Sequence, residues 1–230
     1  MKFLDLVQRL RRRCRVSGTG PSTVLNQNEE YARLVDWTNE AWMQIQLERP
    51  DWKWMRGSMT FPTVAAQSTY TLAQIEATGS GFTNFGNWDK DTFRNYATAS
   101  GTNSETEMNW LNYDNWRNVY AFGGNRNTQT RPTEFAISPA LGICLGPFPA
   151  DGYTISGDYF KKASEMTADA DIPLLPTEFH MAIVYKAMMF YGASEAASEV
   201  YEEGQDLYQK MMRRVEWQQL PAMQSAEALA

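Results

Sequence analysis

The sequence predicts an α+β chain: a helical bundle of about four helices, an inserted antiparallel β-rich module, and a flexible C-terminal tail. Three observations predict it. Near both ends apolar residues recur at spacings of three and four, the mark of a helical face. Between them lie short β-branched and aromatic runs broken by Gly, Asn and Pro, the mark of strands and turns. The last residues, PAMQSAEALA, hold too little apolar surface to fold alone. The implied division is 1–56 for the N-terminal helices, 57–168 for the inserted module, 169–220 for the C-terminal helices and 221–230 for the tail.

In the opening helix Phe3, Leu6, Val7, Leu10 and Cys14 form one stripe, and RRRCR puts cations at the negative end of the helix dipole. VSGTGP then ends it as a loop. The second helix is longer. Tyr31, Leu34, Thr38, Trp42 and Ile45 share a face, while Asp36, Glu40, Gln44 and Glu48 lie away from it. Pro50 disfavours helical geometry at Arg49 and stops the helix there. Trp52, Trp54 and Met55 follow at once. This aromatic corner is expected to pack the place where the inserted module leaves the bundle and to hold its angle.

The pattern then changes period. Residues 59–64 and 68–72 are β-type runs separated by a polar turn, and 77–104 reads as long loops around one or two strands. Asp114 is placed to cap a single helical turn through Asn115, Trp116 and Arg117. Strands over 133–138, 142–146 and 153–160, joined by short turns, predict an antiparallel meander. Helix returns after the linker 169–176, with Thr177 as N-cap and Phe179, Ala182, Ile183, Lys186, Ala187 and Phe190 on one face. Gly192 is expected to interrupt it and Ser194 to cap the last helix, whose stripe is Val200, Gly204, Leu207, Met211 and Val215. Leu220-Pro221 ends that helix.

The net charge of −6 argues against a surface that coats nucleic acid. It is unevenly spread. Residues 1–15 carry six cations against Asp5, and the remainder carries 15 basic and 26 acidic residues. A basic tip and an acidic body suit different partners at different ends. Thirty aromatic residues (8 Trp, 11 Tyr, 11 Phe) supply flat contact area for cores or interfaces. Cys14 and Cys144 match no metal or redox spacing, which fits synthesis in a reducing cytoplasm. The sequence predicts no secretory signal and no membrane anchor.

A search for chemistry finds little. His180 has no nucleophile near it in sequence, and Gly18-Thr-Gly20 and Gly123-Gly124 lack the rest of a phosphate-binding fingerprint. A pair such as Asp89 and Asp91 is of the kind that glycosidic acid–base work uses, and the aromatic, Asn-rich loops resemble a carbohydrate-binding surface, but nothing in the sequence picks that pair out from the many acidic residues. The sequence predicts no enzyme and no cofactor, and favours a structural or binding role.

Four stretches carry a resemblance, in order: FLDLVQRLRRR, LVDWTNEAWMQIQLERPDWKWMR, ISPALGICLGPFPADGYTISGDYFKK, and LPTEFHMAIVYKAMMFYGA with VYEEGQDLYQKMMRRVEWQQLP. Together they resemble the head-to-tail adaptor (connector) proteins of tailed bacteriophages across nearly the whole chain. That resemblance implies a virion protein of the neck, made in the host cytoplasm. It implies a ring, typically of about twelve copies, beneath the portal protein. Such a ring extends the channel through which genomic DNA passes without sequence-specific contact, and receives nozzle or tail-tube proteins. Trp217, Leu220 and Met223 become the candidate portal-binding tail. Arg11, Arg12, Arg13 and Arg15 become candidates for contact with channel DNA or an acidic partner. A stopper or tail-terminator ring is the alternative within the same class.

Overall fold

A computed structural model of the chain describes residues 1–220. Met223, and the rest of the predicted tail over 221–230, lie outside the described residues. In chain order the elements are α1 (Phe3–Arg13), α2 (Glu29–Glu48), β1 (Arg56–Pro62), β2 (Thr69–Tyr70), α3 (Leu72–Thr78), β3 (Phe85–Ala97), β4 (Thr106–Glu107) and β5 (Asn109–Trp110). They continue with α4 (Tyr113–Tyr120), β6 (Gln129–Thr130), β7 (Glu134–Ile137), β8 (Ile143–Gly146), β9 (Phe148–Pro149), β10 (Tyr153–Lys161), α5 (Met181–Ser194) and α6 (Ser198–Gln219). The chain is thus mixed α+β, and it divides into two compact units, 1–55 with 163–230, and 56–162.

In the first unit α1, α2, α5 and α6 share one apolar core. Phe3, Leu6, Val7 and Leu10 of α1, Leu34, Ala41, Trp42 and Ile45 of α2, and Ala182, Ile183, Val184, Ala187 and Met188 of α5 are all buried. Two carboxamides of α2 fasten the returning linker. Asn39 exchanges two hydrogen bonds with the backbone of Met166 (2.9 and 3.0 Å), and Gln46 does the same with Ser164 (3.0 and 3.1 Å). Bonded residues two apart require an extended linker, so the side chains of α2 serve residues 164–166 as a neighbouring strand would. The strand-rich unit therefore closes at Lys162, ahead of the residue 168 expected from sequence.

Gly192 does not interrupt its helix. It sits inside the last full turn of α5, where a Cβ would lie 2.7 Å from the backbone nitrogen of Tyr201. A Cβ on Gly204 would likewise lie 2.9 Å from the carbonyl oxygen of Tyr185. The two glycines let α5 and α6 approach closely. The turn between them carries α6 to a start at Ser198, so Ser194 is not its cap. Thr177 lies in a short 3-10 turn, and its side chain makes no capping bond. Of the stripe expected on α6, Gly204 and Val215 are buried. Tyr208 and Met212 fill the two positions expected for Leu207 and Met211.

The second unit is two four-stranded sheets with strand orders β1-β10-β3-β4 and β2-β8-β7-β5. Most neighbours are antiparallel, but β5 runs parallel to β7, and β6 pairs in parallel with β9. One core lies between the sheets: Met59, Phe61, Trp88, Phe93, Ile155 and Tyr159 from the first meet Tyr70, Phe135, Ile143 and Leu145 from the second. Phe93 stacks on Phe135 at 4.2 Å between ring centres. The outer side of the second sheet is covered by α4, whose Trp116 packs on Ala136 and Cys144. Every residue of β8 is buried, because one of its faces meets the first sheet and the other meets α4.

Three expectations fail here. The strands β7, β8 and β10 do not form a meander. The first two pair as a hairpin, but β10 crosses to the other sheet and lies between β1 and β3. It alternates Ile155, Gly157 and Tyr159 inward, and in that central place its backbone pairs on both sides. Residues 77–104 are not mainly loop. They contain the 13-residue β3, disguised by Asn, Asp, Lys and Thr on its outward face. Finally α4 has two turns rather than one, and its cap is Asn112, whose side chain accepts from the Asp114 backbone at 2.9 Å.

Candidate interaction surfaces

The aromatic corner is interior. Trp52 is fully buried and donates its indole N–H to the carbonyl of Ile45 at 3.0 Å, tying the turn after Pro50 back to α2. Trp54 stacks between Trp52 (5.8 Å) and Trp42 (5.3 Å), and Met55 closes the row. All four belong to the core of the helical unit.

The arginines expected to act together divide into two kinds. Arg11 is half-buried and donates through Nη1 to the carbonyls of Val16 and Gly18, so it clamps the loop that follows α1. Gly18 and Gly20 adopt positive φ there, and a Cβ on Gly20 would strike the Arg11 side chain at 2.9 Å. Arg13 pairs with Glu203 of α6 at 3.2 Å and covers the Tyr185 ring. Arg12 and Arg15 are exposed and enter no salt bridge among the described residues, and Arg9, one turn before Arg12, shares that condition. The sequence alone does not single out Arg9 beside the cluster from Arg11 to Arg15. Its signal was the three-residue spacing to Arg12 on a face opposite the apolar stripe.

Toward the end of α6 the side chains diverge. Trp217 is 88% exposed, whereas Leu220 is half-buried and packs on the helical core. The neighbouring end of α2 is held close by Arg49 on Glu216 (2.8 Å) and by Lys53 on the carbonyl of Gln218 (3.3 Å). A tryptophan so exposed among the described residues gains little from burial on folding, and its large apolar area is available to a partner.

The outward face of α2 is acidic at one end and apolar at the other. Asp36, Asn39, Glu40 and Met43 line a groove of about 430 Å³ together with Glu165 of the linker. One turn beyond Met43, Leu47 is 70% exposed. In the strand unit, Asp89 and Asp158 both bind Arg56, at 2.7 and 2.9 Å, so the carboxylate considered for glycosidic chemistry is held in a structural ion pair.

The remaining reactive groups are packed away. His180 is fully buried in the helical core, with Nε2 at 2.7 Å from the Leu175 carbonyl and Nδ1 at 2.5 Å from the Met1 amine. Burial moves its pKa below the ordinary value. The Cys14 thiol is pushed up to about 12 by burial, with Glu203 adding to the effect, and burial raises Cys144 as well. A thiol held protonated is a poor nucleophile. Among the described residues no three metal-ligating side chains come together, and no helix is long and apolar enough to cross a membrane.

The model of the SU10 adaptor protein family matches residues 1–228, nearly the whole chain. The chain belongs to that family. It is a phage head-to-tail adaptor family, so this is a bacteriophage adaptor protein, of a structural and not an enzymatic class. Membership places it among virion proteins of the neck. No curated protein matches the chain.

Proposed function

We propose that this adaptor assembles as a ring of about twelve copies on the portal protein, extends the channel for the genomic DNA, and offers the surface on which nozzle or tail-tube proteins dock. The observation that carries the reading is the family match over residues 1–228. The surfaces described above support it. Trp217 and the end of α6 face the portal, continued by Met223 beyond the described residues, while Leu220 anchors this end to the helical core. DNA slides past an acidic body that makes few phosphate contacts, and a chain of net charge −6 suits that task. The packed corner of Trp52, Trp54 and Met55 keeps the helical unit identical in every copy, as a closed ring requires.

Mixing the purified chain with portal rings of the same phage tests this. The expected result is a discrete complex whose mass by light scattering exceeds that of the portal by several copies, with an added ring in electron micrographs. A chain that never joins portal, and instead binds a preassembled adaptor–portal complex or an isolated tail, is a stopper or terminator and overturns the reading.

A further inference from the structure

Two helices of the same unit present exposed charged faces of opposite sign. On α1, Arg9 and Arg12 are exposed and point away from the buried stripe of Phe3, Leu6, Val7 and Leu10. On α2, Asp36 and Glu40 are exposed on the face away from Leu34, Thr38, Ala41 and Ile45, and Glu165 adds a third carboxylate to their groove. None of these five groups enters a salt bridge among the described residues. The spacings are close: three residues along α1 advance about 4.5 Å and four along α2 about 6 Å, a difference that long guanidinium arms absorb.

We propose that the outward face of α1 in one copy seats in the acidic groove of α2 in the next, with Arg9 and Arg12 against Asp36, Glu40 and Glu165. The inference rests on the ring reading and names the contact that repeats around it. The two faces lie on different helices, so the contact is heterologous, and each copy gives one face and receives on the other. Met43 at the groove and Leu47 beyond it supply the apolar surface that excludes water beside the ion pairs. Guanidinium forks then meet carboxylates in a partly dried setting, where charge pairing fixes register and rejects wrong partners.

A nucleic-acid phosphate fits this face of α1 less well. Asp5 stands four residues before Arg9 on the same outward face, and Arg11 and Arg13 of the cluster are already committed inside the chain. A mixed face of this kind matches a protein surface rather than a row of phosphates.

Charge reversal with rescue decides the matter, using the full chain and portal rings. Arg9→Glu with Arg12→Glu makes one variant, and Asp36→Lys with Glu40→Lys the other. Each alone is expected to lose ring assembly on portal on the order of tenfold or more, because like charges would face each other. An equimolar mixture of the two recovers assembly, since alternating copies again present opposite charges at every contact. A chain carrying all four substitutions also recovers it alone. Circular dichroism of each variant, expected to match the wild type, separates misfolding from lost contact.

If wild-type chain joins portal and both reversals join it equally well, the α1–α2 contact is wrong while the ring reading stands. Reversals that fail and are rescued by neither the mixture nor the fourfold variant overturn the pairing too. So does normal assembly accompanied by loss of packaged DNA, which would assign Arg9 and Arg12 to phosphate. Failure of the wild type itself to join portal is the separate failure of the ring reading.

Discussion

Cations are used differently in the two units. In the strand unit Arg56 is held by Asp89 and Asp158, Arg131 donates to Asn95 and the Ser104 carbonyl, Lys90 sits over Trp110, and Arg117 lies over Phe122. In the helical unit Arg13, Arg33 and Arg49 pair with carboxylates across elements, but Arg9, Arg12 and Arg15 enter no salt bridge among the described residues, and neither do Asp36, Glu40 and Glu165. The difference follows from secondary structure. A helix with a narrow apolar stripe keeps a whole outward face free. In the strand unit Arg56 of β1 instead ties β3 and β10 together, and Arg131 holds the segment at Ser104. Charge in the strand unit is therefore structural in these instances, and unpaired charge on the helices is available for contact.

The largest effects are expected in the cores, where the two units behave alike. Trp52→Ala and Phe93→Ala each remove a fully buried aromatic ring and are expected to cost about 3–5 kcal/mol in denaturant unfolding. A loss of less than about 1 kcal/mol at Trp52 would mean that the corner is not core. Next comes the charge contrast. Arg131→Met strips partners from the fully buried Asn95, and is expected to cost about 2–3 kcal/mol. Arg12→Gln is expected to stay within about 0.5 kcal/mol of the wild type. Equal losses at the two positions would erase the distinction between the units.

A smaller, pH-dependent effect belongs to the helical core alone. Burial lowers the His180 pKa, so the unfolded chain takes up this proton before the folded one does. Stability present above about pH 6.5 is then lost as pH falls below it. The denaturation midpoint should drop between about pH 7.5 and about pH 5.5, and His180→Gln should flatten that drop. Asp171, whose carboxylate is stabilised by the backbone amides of Ala168 and Thr167, adds a loss only at more acid pH, below its ordinary range.

Much of this contrast was legible in the sequence on the helical side and little of it on the other. Helix periodicity marks the buried stripes of α1 and α2 because each helix shows a single face to the core. Pro50 and Gly192 show the limits of punctuation. Pro50 stops α2 as expected, whereas Gly192 serves a close approach by α6, which only the three-dimensional packing reveals. In the strand unit β3 carries polar residues on its outward face and β10 changes sheets, so neither alternation nor turn length gives the pairing. Arg11 illustrates the same limit at the candidate site. Arg12 beside it is exposed without a salt bridge among the described residues, but the carbonyls that Arg11 clamps come from a loop whose course the run of three arginines does not disclose.

Trp217 tests the central claim, that the outward surfaces of the helical unit act through contact with partners rather than through folding. The measurement is one variant, Trp217→Ser, followed in two ways: denaturant unfolding of the free chain and assembly on portal rings. The expected result is a stability within about 0.5 kcal/mol of the wild type together with a clear loss of assembly. Assembly unchanged from the wild type would contradict the account.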